Sequence, residues 1–418
     1  MIRQIFKIIW TERRINIWIL FELILVFCIL WFCVDYIYFF TKRYLEPTGY
    51  NIEHVYSINL GIKEEGNVII NNGSDAQKDS LLNTVWTIMD RIKTYPDVKY
   101  ASLAFDAIPY SGNYRNNSFS IDSVAEYIQI KTVAPDFFNV FDINILQGNI
   151  PEWSNPDDIV ISGTRDNMFL KKDVRQIKTL DFEGEKKKVI GAVESSKRSE
   201  FNNSDPIIYI LLPRNNIEAI NMEGYSQICV RVKAEADKNF IDRFTKDMQN
   251  QIAVDPYFLS SVTSIDDIRK DYIKWTGYDN NFKSIFSISA FLLINIFLAV
   301  VGTFWFRTQT RRSEIGLRIA LGSSRVNVQT IFIIETILLI FFASIIATII
   351  SVNVALADVL KDIGIPVVER GEDEIRLSQY LINYCITFFI LVTISIIAVW
   401  YPSRKASNIQ PAEALKDE

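Results

Sequence analysis

Histidine is nearly absent. His54 is the only one in 418 residues, which removes His-based metal sites and catalytic triads. There are four cysteines. Cys28, Cys33 and Cys385 lie in apolar runs, and Cys229 stands alone in a polar region. No CxxC spacing occurs, so neither a disulfide framework nor a zinc ribbon can be built. Positive charge is not in excess, the net value being −5, and a phosphate backbone needs a basic face, so nucleic acid is excluded as a partner. GxSxG, HExxH and the GxxxxGK[ST] phosphate loop are all missing. The acid pairs Asp157-Asp158 and Asp266-Asp267 read as solvated surface or a helix N-cap, and the basic run 186–188 reads as a turn. No catalytic residues, metal ligands or bound cofactor are expected of this chain.

What is present is apolar. Hydrophobic residues make up 49% and charged residues 22%, too apolar for an aqueous protein and too charged for an embedded one. A membrane-spanning helix needs about 20 mostly apolar residues. Four stretches qualify: 15–40, 284–306, 328–357 and 380–401. The first is too long for a signal-peptide core and has no small-residue cleavage site, so it reads as an uncleaved anchor. Basic residues set orientation. They precede the first span (Arg3, Lys7, Arg13, Arg14), separate the second from the third (Arg307, Arg311, Arg312, Arg318, Arg325) and follow the fourth (Arg404, Lys405). The connection 358–376 is acidic instead. Both termini are therefore expected in the cytoplasm, with the long first connection outside. Glu22, Asp35 and Glu335 are the acids within the spans, where an ionisable group is a functional candidate. The simpler reading gives Glu22 and Glu335 water or a basic neighbour near the cytoplasmic end. No polar face recurs along several spans, so a water-filled conduit is not expected.

About 240 residues separate the first two spans. Alternation predicts strands at 55–62, 98–105, 226–232 and 257–262, and helical spacing predicts helices at 81–95 and 238–252. Two β-α-β units thus flank a strand-rich section, 115–212. The expected fold is membrane α-helical, with four transmembrane helices, and carries a large α+β extracytoplasmic domain: a split β-α-β subdomain with a mainly β insertion. The expected division is 1–40 (cytoplasmic N-terminus and first span), 41–282 (outer domain) and 283–418 (remaining spans and cytoplasmic tail). The polar segment 265–282 is expected to continue the second span outward as a helical stalk.

The stretch RRSEIGLRIALGSSR, 311–325, holds the densest pattern. Arg311, Arg318 and Arg325 are seven apart, which on a single helix places them near one face. Glu314 and Arg318 have the i,i+4 spacing of an ion pair, and Ile315 and Ile319 share an apolar face. Gly322 followed by Ser323 and Ser324 reads as a helix stop and a new start. The plain alternative is a basic topogenic loop that only anchors the spans.

This stretch resembles the FtsX-like permease motif E-I-G-x-R-x-A-L-G-x-S/A-x-R, standing here as Glu314, Ile315, Gly316, Arg318, Ala320, Leu321, Gly322, Ser324 and Arg325. Glu335 stands where that family places an acid early in the third span. Pro402, Arg404 and Ala406, then Pro411, Glu413 and Leu415, look like its closing P-x-R-x-A…P-x-E-A-L. Segments 133–148 and 188–193 resemble parts of the MacB-like outer domain. The resemblance is to the MacB/FtsX-like ABC transporter permeases and covers nearly the whole chain. It implies a bacterial inner-membrane, multi-pass permease with 41–282 periplasmic or extracellular. It implies a second permease copy, as a homodimer or with a close paralogue, and membrane lipid around it. Arg311, Glu314, Ile315, Gly316, Arg318, Gly322 and Arg325 would couple it to an ATPase. MacB carries an ATPase domain ahead of its first span, whereas about 14 residues stand there in this chain. ATP and Mg are therefore expected on a separate ABC ATPase subunit. The implied work is mechanotransmission on peptide, lipoprotein or other envelope cargo, with a periplasmic adaptor and outer-membrane channel left open. The alternative is an FtsX-like regulator of an envelope hydrolase or signalling partner.

Overall fold

In the computed structural model the described residues are 10–11, 13–121, 124–182, 184–221, 226–357, 359 and 377–407. Contacts divide the chain into an outer unit, Arg43–Gly277, and a helical unit made of Met1–Lys42 and Tyr278–Glu418.

The outer unit opens with β1 (Val55–Ile62), α2 (Glu64–Asn72), α3 (Asp75–Lys93) and β2 (Val98–Phe105), the first helix, α1 (Arg13–Leu45), lying before it. Helix α3 turns Leu82, Val85, Trp86 and Met89 inward, the spacing of one helical face. At its start the Gln77 side chain accepts from the Ser74 backbone N–H at 2.9 Å, half of a capping box. The α2 helix was not expected. It has nine residues, and its apolar positions are consecutive rather than periodic.

A second unit of the same kind closes the domain: β12 (Ser226–Val232), α5 (Phe240–Ile252) and β13 (Tyr257–Ser264). Helix α5 buries Phe240, Phe244, Met248 and Ile252, one residue per turn. These strands run in the order β2-β12-β1-β13, every pair antiparallel. That is the split β-α-β arrangement, with α3 and α5 sharing one core with the sheet. The expected split subdomain is borne out.

The insertion holds α4 (Phe137–Phe141) and the strands β3 (Arg115–Ile121), β4 (Val124–Val133), β5 (Ile145–Gly148), β6 (Asp158–Ser162), β7 (Met168–Phe169), β8 (Lys172–Asp173), β9 (Thr179–Phe182), β10 (Glu185–Val193) and β11 (Ile207–Leu211). Six of them close on themselves. β3 pairs β4, β4 pairs β11, β11 pairs β6, β6 pairs β10, β10 pairs β9, and β9 returns to β3 at Ser120–Asp181. Closure removes free sheet edges. Phe119, Ile128, Ile130, Ile161, Leu180 and Ile208 fill the interior. The end of β4 also pairs β2 at Ala104 and Phe105, so the barrel and the split subdomain share one continuous sheet.

One loop ties the two ends of the outer unit together. Lys197 is buried, and its Nζ donates to the Arg43 carbonyl at 2.7 Å and to Glu46 at 3.3 Å. Burial lowers the Lys197 pKa, and Glu46 opposes that. Glu200, on the same loop, accepts from Tyr110 at 3.0 Å and from Arg269. Arg269 belongs to α6 (Ile265–Trp275), the last element of the unit. Gly49 lets the entering chain pass under this loop: its φ is +77°, and a Cβ there would fall 1.8 Å from the Ser195 carbonyl oxygen.

The stalk expectation is corrected here. Helix α6 ends at Trp275, Gly277 sits at φ +77°, and a new helix, α7 (Tyr278–Thr310), begins at the next residue. A left-handed residue interrupts the α-helical ladder, so 265–282 is two helices.

The helical unit holds α1, α7, α8 (Arg312–Ala320), α9 (Arg325–Leu356) and α10 (Leu377–Ser407). All but α8 are long and apolar enough to cross a membrane, over Asn16–Leu45, Tyr278–Thr303, Arg325–Leu356 and Leu377–Lys405. Phe27 and Trp31 of α1 meet Tyr384 and Tyr380 of α10, with ring centroids 6.0 and 5.8 Å apart. The interior is more polar than expected. Thr336, Ser344 and Ser351 on α9 and Asn383, Thr387 and Ser395 on α10 are all buried, and Asn383 donates to Asp35. Small and polar residues at helix contacts let backbones approach and bond across helices, a packing role that needs no conduit. The acidic connection 358–376 lies outside the described residues except for Val359.

Candidate coupling site

The motif 311–325 forms a compact device between two spans. Helix α7 stops at Thr310, Arg311 caps α8, and only four residues separate α8 from α9. At the far end the Ser323 N–H reaches the Arg318 carbonyl at 2.9 Å, and the Gly322 N–H reaches Ile319 at 3.0 Å. Gly322 has φ +94°. This is a Schellman stop with glycine in the left-handed position. Ser324 then caps α9, its Oγ accepting from the Asn327 N–H at 3.2 Å. The stop and restart expected at 322–324 are both present.

The arginine spacing needs correction. The three do not share a helix: Arg311 caps α8, Arg318 lies in its last turn, and Arg325 opens α9. Seven-residue spacing defines a face only on one uninterrupted helix. Arg311 instead turns inward. Its guanidinium lies 3.4 Å from Glu335 of α9, whose side chain is 0% exposed. The acid in the third span therefore has a basic neighbour, 24 residues earlier. Glu22 lies on the exposed side of α1.

Ile315 is buried in the core of the helical unit, Gly316 is buried beside it, and Ile319 packs against the same core. Leu317, Leu321 and Val326 are exposed, Leu321 at 79%. Glu314 is in the first turn of α8, and its side chain lies outside the described residues, so its pairing with Arg318 does too.

The start of the closing motif joins the same end of the unit. Pro402 is buried inside α10, with Arg404 over the Trp400 ring at 5.1 Å. Lys405 lies over Trp305 of α7 at 4.5 Å, and Trp305 stacks on Tyr401 with centroids 6.3 Å apart. Gln329 of α9 donates to Ser407 at 3.0 Å. The last turns of α10 are thus fastened to the helices on either side of α8. Pro411 and Glu413 lie outside the described residues. Sequence reasoning missed Leu317 and Val326. The signal available was their apolar character on turns that the cap geometry leaves facing outward.

Cys229 is fully buried in β12, and burial pushes its thiol well above the usual range, which keeps it inert.

The helical unit thus has four helices long and apolar enough to cross a membrane, with the short α8 between the second and the third. Residues 286–411 match the family described as FtsX-like permease C-terminal. Over those residues the chain is similar to the FtsX-like permeases. Over 235 residues, 55% of the chain, it is 26% identical to the macrolide export ATP-binding/permease protein MacB of Haemophilus ducreyi, and it spans 31% of that protein's length. Among solved structures, the periplasmic region of MacB from Actinobacillus actinomycetemcomitans covers 55% of this chain and 97% of its own, at 11% identity and a TM-score of 0.34. The extracellular domain of the ABC-type transporter YknZ from Gram-positive bacteria covers 49% and 100%, at 14% identity and a TM-score of 0.29. At such scores the fold assignment rests on the strand order above.

Proposed function

We propose that this chain is the permease subunit of an ABC transporter in the bacterial inner membrane, with both termini cytoplasmic and the outer unit beyond the membrane. ATP, with Mg, is hydrolysed on a separate subunit, and a second permease copy completes the assembly. The observation that carries this reading is the build of α8. Ile315 and the Arg311–Glu335 pair lock α8 into the bundle, while Leu317 on α8, Leu321 at its C-cap and Val326 in the first turn of α9 are exposed. A helix held so firmly on one side moves with the spans it joins. Closure of the ATPase pair against these exposed residues would rock α7 and α9 and displace the outer units, doing work on peptide, lipoprotein or other envelope cargo. The same device would serve the alternative, an FtsX-like regulator of an envelope hydrolase or signalling partner.

Leu321→Asp tests the docking face. An exposed surface substitution changes stability by about 0.5 kcal/mol or less, so the variant should insert and fold normally. The ATPase subunit should no longer co-purify with it. Retention of that subunit at wild-type yield would show that these exposed residues are not the docking surface.

A further inference from the structure

Helix α7 is the least covered of the four spans. Of its most apolar stretch 17% is buried, against 33, 39 and 44% in the other three. Ile296 and Val300 turn into the bundle core. On another side Ser284, Ile288, Phe291, Asn295, Leu298 and Gly302 are all exposed, Phe291 at 66% and Leu298 at 60%. Their spacing alternates between four and three residues. On a helix that alternation keeps all six on one strip, the pattern of the a and d positions along a two-stranded seam.

Lipid covers an exposed Leu or Phe well, so apolar exposure alone calls for no partner. Asn295 is different. It stands at the midpoint of the apolar run 284–306, about 16 Å from either end at the rise of an α-helix. A carboxamide carries two N–H donors and an acceptor oxygen. Among the described residues Asn295 makes one hydrogen bond, from Nδ2 to the Phe291 carbonyl of its own helix at 2.8 Å. The other N–H and Oδ1 are left over, and hydrocarbon offers them nothing.

We propose that α7 is the seam between two copies of this chain, the six residues packing against their counterparts and the two Asn295 amides bonding to each other across a two-fold axis. The chemistry points to a second copy as the occupant. A carboxamide both donates and accepts, so it complements itself, and a two-fold contact near the axis sets a residue opposite its own counterpart. One Asn at an a position fixes the register of such a seam. Gly302 has nothing within 4 Å of the place a Cβ would take, which leaves room for two backbones to approach at that end. The proposal rests on the reading that a second permease copy completes the assembly, and it adds the face that meets it.

Photo-cross-linking of the full chain in membranes tests it. Two differently tagged copies are expressed together, with benzoylphenylalanine replacing one residue at a time. In place of Phe291 or Leu298 the probe should give a product of twice the chain's mass that carries both tags. In place of Phe286 or Phe297, exposed on the far side of α7, it should give none. Energy transfer between labelled copies at increasing dilution in bilayers then reads their affinity. Asn295→Leu should weaken association about threefold or more, the scale of one hydrogen bond between membrane helices, with the thermal midpoint of the wild type. Asn295→Gln should retain most of the association. Cross-linking from Phe286 or Phe297 and not from Phe291 or Leu298 would overturn the seam while leaving a second copy in place. Unchanged association of Asn295→Leu would overturn the amide pair. Wild-type copies that show no energy transfer at any dilution would remove the second copy, and the proposal with it.

Discussion

In the helical unit Glu335 is fully buried and meets Arg311 at 3.4 Å; in the outer unit Lys131 is nearly as deeply buried and, among the described residues, meets no carboxylate. Lys197, also in the outer unit, shows that depth alone does not decide the matter. It is buried further than Lys131, yet it is satisfied by the Arg43 carbonyl and Glu46. The paired groups each join segments distant in sequence: α8 to α9 in one case, the entering chain to the 195–201 loop in the other. Such pairs define an arrangement. Among the described residues Lys131 makes no such pair, and a buried charge without one lowers stability.

The comparison breaks most sharply at the paired acid. Glu335→Ala should remove the carboxylate that Arg311 meets inside the bundle and cost about 3–5 kcal/mol, the scale for breaking a buried pair from one side. A thermal unfolding scan of the detergent-solubilised protein should show a lowered midpoint for the helical unit. Replacing both residues together with Met should recover most of the loss. An unchanged midpoint in the single variant would mean that Arg311 and Glu335 are not coupled.

Lys131 should behave in the opposite sense. Burial, with a smaller contribution from Arg198, lowers its pKa to about 8. The unfolded chain would hold that proton up to about pH 10.4. Between these values the unfolded state binds more protons, so stability rises with pH across that window and is lowest below it. Lys131→Met should therefore stabilise the outer unit at pH 7 by about 2–3 kcal/mol and flatten the rise between pH 8 and 10. Denaturant unfolding at pH 7 and pH 10 measures both. A destabilised variant would show that Lys131 has a partner in the folded state.

Much of the split subdomain was legible because its strands alternate and its helices repeat at helical spacing. β1, β2 and β12 begin and end where alternation placed them. Barrel closure was not legible. It depends on β4 meeting β11 and β9 meeting β3, pairings between segments far apart in sequence. The stalk failed at a single residue, Gly277, whose left-handed backbone the polar pattern around it does not reveal. At the candidate coupling site, the Gly322 stop and Ser324 start were legible because capping chemistry is local. The inward turn of Arg311 was not, since its partner is a buried acid on another helix. Lys131 was invisible for a related reason. A lysine in a strand reads as solvent-facing until the loop that covers it is known.

Motion of the outer units under ATP tests mechanotransmission most directly. Ser80 is exposed on α3 and can be changed to Cys to carry a spin label on each permease copy. Pulsed electron–electron distances between the two labels should be measured in the assembled complex, nucleotide-free and with ATP trapped. If α8 carries the ATPase stroke to the outer units, the distance distribution should shift between the two states. With Leu321→Asp the shift should vanish. A wild-type distribution that is the same in both states would contradict mechanotransmission and return attention to a path through the buried polar residues of α9 and α10.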